Sequence, residues 1–153
     1  MVHKALAWLE ERMDVIPSGD DRITDFKNWK AKAVYFYDAD KNIMEFSARE
    51  HIEANNHESF SRERMVSISE MALAVSDIES IYKSINDIKS IPIFDGSFDR
   101  FCALGNDEGL FILIDKTKKK WYPTNDEVFT SEFVIKGDYN FKFENGIISP
   151  LLN

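Results

Sequence analysis

The chain has 153 residues, a formal net charge of −8 and an apolar fraction of 44% that includes 12 Phe, 5 Tyr and 3 Trp. That length can bury a core without disulfides or a structural metal, and so many aromatic side chains exclude a disordered chain. The negative field repels nucleic-acid phosphates at long range, which argues against DNA or RNA binding and toward a basic protein as partner.

In chain order, the first pattern is helical. Leu6, Leu9 and Met13, with Ala5 and Trp8 alongside, recur at three-to-four spacing over residues 3–14, and Pro17 to Asp21 ends the run. This N-terminus has no long apolar stretch, being interrupted by Glu10 and Glu11, and no segment approaches the length of a membrane span. Cys102 is the only cysteine, so no internal disulfide forms, and a reducing, cytoplasmic setting is expected. Residues 22–32 present Ile23, Phe26 and Trp29 at a spacing that suits a short helix or an irregular segment. The β-branched and aromatic residues 33–37, a turn at Asp38 to Asn42, and residues 43–46 predict a hairpin. Residues 47–64 are polar and read as a solvated loop or an exposed helix.

A long amphipathic helix is predicted over about 68–89. Ser67 and Glu70 have capping-box spacing, and Met71, Val75, Ile78, Tyr82, Ile85 and Ile88 share a stripe, although Ser76 to Glu79 could restart a helix and divide it. From Pro92 onward the pattern is β, with strands expected at residues 98–104, 110–114, 128–136 and 139–148. Asn145-Gly146 is a two-residue hairpin signal, and the unalternating run 110–114 suits a central strand covered on both faces. The expected fold is one α+β domain spanning 1–153. It has an antiparallel sheet of four to six strands in the C-terminal half, with the long helix and the N-terminal helix packed on it.

Chemistry-bearing motifs are sparse. Asp38, Asp40 and Asn42 open like a calcium loop, but Ile43 stands where glycine is required and Arg49 where a bidentate glutamate is required, so a hairpin turn explains them. Glu53 and His57, with Glu50, His51 and Glu58 nearby, are the one grouping of metal-ligand types, and a solvated charged segment explains them without a metal. No nucleophile elbow or phosphate-cradling glycine loop exists, and Cys102 reads as a core side chain. No catalytic residue, metal or cofactor is assigned. The run Lys116 to Lys120 before Trp121 and Tyr122 has the look of a nucleic-acid platform, but lysines at a β-turn protect sheet edges. What remains is an acidic set in or beside turns: Asp95, Asp99, Asp107, Glu108, Asp126 and Glu127. Gathered at one end of a sheet, they would form a negative rim, with Trp121 and Tyr122 as aromatic anchors for a partner.

Ile91-Pro92-Ile93, Asp95-Gly96, the run Phe101 to Leu104 and Gly109-Leu110-Phe111 together resemble the central β segment of SUKH-type proteins. The resemblance implies a bacterial immunity protein that neutralises a cognate toxin, often a nuclease. The leading expectation is therefore a non-enzymatic acidic binding protein that occludes a basic toxin domain. A small enzyme or ligand-binding domain with a helix/sheet pocket, using Glu53 and His57 or Asp95 and Asp99, is the alternative, and an acidic secretion chaperone is a further one.

Overall fold

A computed structural model describes residues 1–50, 52 and 59–151. It resolves into two compact units, one formed by Met1–Ser67 with Tyr122–Thr124, the other by Ile68–Trp121 with Asn125–Asn153.

The first unit is a helix on a small antiparallel sheet. Helix α1 spans Val2–Glu10, and strands follow at β1 (Val15–Ile16), β2 (Thr24–Phe26), β3 (Ala31–Tyr37) and β4 (Ile43–Arg49). β4 pairs with β3 along its whole length, while the other edge of β3 is divided between β1 and β2. The hairpin turn is closed by Asp38, whose Oδ1 accepts from the N–H groups of Asp40 (2.9 Å) and Asn42 (2.8 Å). Its Oδ2 accepts from Asn42 Nδ2 at 2.9 Å. The side chain is thus consumed by its own turn, as the hairpin reading requires. Leu9, Val2, Val34 and Phe36 form the core, with Leu6, Trp8, Val15, Phe46 and Ala48 around it. α1 therefore packs on β3 and β4 of its own unit, and not on the C-terminal sheet as the sequence led us to expect.

The second unit begins with a correction. Residues expected to open a long helix form instead β5 (Glu70–Val75), and helix α2 covers only Ile78–Ile88. Met71, Leu73 and Val75 alternate with Ala72 and Ala74, and β5 lies parallel to β8 (Gly109–Asp115), with Leu73 opposite Leu113. Period-two and period-3.6 patterns had merged into one apparent stripe. The true cap is Asp77, extended at φ −143°, whose carboxylate accepts from Ser80 N at 3.0 Å. β6 (Ile93–Ser97) and β7 (Phe101–Asn106) complete a four-stranded sheet in the order β5-β8-β7-β6. β8 is central, as its apolar run predicted, and its pairing with β5 makes this sheet mixed rather than antiparallel.

A second sheet follows, ordered β11-β10-β9, from β9 (Phe133–Ile135), β10 (Phe141–Glu144) and β11 (Ile147–Pro150). The β10–β11 turn carries Asn145 at φ 53° and Gly146 at φ 76°, as its dipeptide predicts. The expected strand at 128–136 shrinks to three residues, and Val128 turns inward onto Ala74 and Ile114. Residues 22–32, expected as a short helix or an irregular segment, hold β2, a single 3-10 turn at Lys27–Trp29 and the start of β3. Ile78, Ile81 and Ile85 of α2 pack with Leu73, Val75, Cys102, Leu104 and Leu113 of the first sheet and with Phe141, Phe143 and Ile148 of the second. Cys102 is fully buried, and desolvation, followed by the charge of Asp95, pushes its thiol above the ordinary value. Among the described residues no helix is long and apolar enough to cross a membrane.

Candidate functional site

The acidic set does not lie all at one end of the sheet. β7 runs from the turn bearing Asp99 to the turn bearing Asp107 and Glu108, so these carboxylates lie at opposite ends of a six-residue strand, roughly 17 Å apart along its axis. Consecutive turns of an antiparallel meander alternate between ends, so Asp99 and the Asp107-Glu108 turn do not share one rim. Asp99 is occupied by Lys118, whose Nζ donates to its Oδ1 at 3.0 Å and to its carbonyl at 2.9 Å. Lys118 also lies 3.5 Å from Asp115 Oδ2. Asp115 is itself buried, and its Oδ1 accepts from Thr117 Oγ1 (2.7 Å) and Thr117 N (2.9 Å). The hydrogen bond from the Thr117 hydroxyl, more than any other influence, holds the Asp115 carboxyl below the usual carboxylate range. The contact with Asp99 is the main cause that raises Lys118 above the usual amine value.

Asp95 sits on the edge strand β6 opposite Ala103, with its Oδ1 accepting from Gly96 N at 2.7 Å. Glu127 pairs with Lys120 at 2.5 Å, and the Asp126 carbonyl accepts from Trp121 N at 3.0 Å. The remaining lysines of the run also have local partners. Lys116 donates to Thr130 Oγ1 at 2.8 Å, and Lys119 lies 4.4 Å over the Phe101 ring. Trp121 packs on Ala74, Ile114 and Val128 in the second unit, whereas Tyr122 belongs to the first.

The first unit holds a denser polar constellation. Because side chains alternate across β3 and β4, Val34, Phe36, Phe46 and Ala48 face α1, which leaves Ala33, Tyr35 and Tyr37 beside Ser47, Glu45 and Ile43 on the opposite face. At the end of the same face Arg49 stands opposite Ala31, and Thr24 and Phe26 flank Ala33 and Ala31 from β2. Arg49 is 7% exposed, and its guanidinium carbon lies 5.8 Å from the centre of the Trp29 ring. Tyr122 covers the β2 side of this face. Its ring meets Tyr35 edge-on at 5.8 Å and Phe26 at 6.1 Å, and its hydroxyl shares a hydrogen bond with Ser18 and lies 3.4 Å from Thr24 Oγ1.

Sequence reasoning placed Tyr122 among the partner-binding residues but missed Tyr35, Glu45, Ser47 and Arg49. The signal was present in the alternation Glu45-Phe46-Ser47-Ala48-Arg49, which continues the strand three residues beyond the predicted end at Phe46. Glu53, His51, His57 and Glu58 lie outside the described residues. Among the described residues no group of three or more His, Cys, Asp or Glu side chains could hold a metal. The chain matches no protein-family model and no curated protein sequence.

Proposed function

We propose that this chain is a ligand-binding domain that takes a small polar molecule on the face of the first unit's sheet bearing Glu45, Ser47 and Arg49. The observation that carries the reading is Arg49, a charged side chain 7% exposed on the same sheet face as a carboxylate. Withdrawing a guanidinium from water is costly, so its burial on this face marks a place built around charge. An arginine fork recognises carboxylate or phosphate with two parallel hydrogen bonds, Glu45 accepts from a ligand N–H or O–H, and Tyr35 and Tyr37 supply aromatic walls.

Thermal denaturation in the presence of a panel of simple carboxylates, phosphates and amino acids at millimolar concentration tests this. A ligand present at one hundred times its Kd stabilises by about 2.7 kcal/mol, a rise in Tm of about 5–11 °C for a chain of this length. The rise should vanish in Glu45→Gln and in Arg49→Met. A panel without any stabilising member, or a rise that both variants retain, refutes the reading.

A second reading rests on charge. The second unit has 14 Asp and Glu against 9 Lys and Arg, a net of −5, and the Asp107-Glu108 turn lies at the end of the sheet remote from the lysine run. On this reading the chain is a cytoplasmic acidic immunity protein of the SUKH type, and the turn occupies the phosphate-binding groove of a basic nuclease toxin. The double variant Asp107→Lys/Glu108→Lys should then slow association with the captured partner by several-fold at low salt, with the difference collapsing as salt rises. Equal association rates for wild type and variant at low salt would remove this reading.

A further inference from the structure

We draw no further inference here: the strongest candidate, the polar cavity of about 220 Å³ in the second unit where Ser76 and Ser80 of the α2 entry meet Lys116, Thr130 and Asn145, carries nothing because the helix N-terminus is already capped by Asp77, Lys116 already donates to Thr130, and no second feature of the structure points to a ligand.

Discussion

Replacing Asp77 by alanine tests where the second helix begins. The Asp77 carboxylate accepts from Ser80 N at 3.0 Å and stands at the positive end of α2. Loss of an N-cap costs about 1 kcal/mol, and loss of the charge from the first turn adds a further 0.3–1 kcal/mol or so, giving about 1–2 kcal/mol together. For a chain of this size that corresponds to a fall in Tm of about 2–8 °C. Ser67, the cap suggested by residue spacing, is exposed and lies outside any helix, so Ser67→Ala should stay within about 0.5 kcal/mol of wild type. Asp77→Asn keeps an acceptor and should lose only the charge-dependent part. Urea denaturation followed by circular dichroism at 222 nm, run on all three variants, reads these differences. If Ser67→Ala destabilises as much as Asp77→Ala, or if Asp77→Ala is neutral, α2 does not start at Ile78 and the strand assignment of β5 falls with it.

Two further expectations concern stability. Gly105 has φ 127°, and a Cβ there would strike the carbonyl oxygen of Gly109, so Gly105→Ala should cost at least about 1–3 kcal/mol in urea denaturation. Gly109→Ala, whose Cβ would meet only Ser69 O at an ordinary 3.8 Å, should be far milder, and equal losses would contradict the turn geometry. The Asp115 carboxyl titrates below its unfolded value of about 3.9, so its contribution is complete above that pH and is lost as pH falls through the depressed native value. Lys118, raised in the fold, contributes fully below its unfolded value of about 10.4 and loses that contribution as pH rises through the higher native one. Stability measured against pH should therefore drop less steeply below pH 4 in Asp115→Asn than in wild type, and parallel acid limbs would show that Asp115 is not the group responsible.

Much of the local structure was legible because it depends on near neighbours. The Asn145-Gly146 turn needs two residues that tolerate positive φ, the Asp38 turn needs one carboxylate within reach of two backbone N–H groups, and the amphipathic spacing of α1 needs only one buried stripe. The same reasoning failed at residues 68–77. Met71 and Val75 are spaced like helical neighbours, but Leu73 between them completes a strand alternation, and the choice rests on a partner some forty residues away. Parallel pairing with β8 gives that segment backbone partners that no inspection of the segment reveals.

The candidate sites divide along the same line. Composition and order along the chain were enough to establish a negatively charged α+β protein with a C-terminal half rich in strands, a buried lone cysteine and no nucleotide-cradling loop, because each of these follows from residue type and short-range spacing. Which charges meet was decided only in three dimensions. A hairpin's register determines which residues share a face and at which end a turn emerges, so Asp99 faces Lys118 while Asp107 and Glu108 lie a strand's length away. The same register places Glu45, Ser47 and Arg49 on one face with Tyr35, and it depends on hydrogen bonds between segments whose pairing no single stretch of sequence encodes.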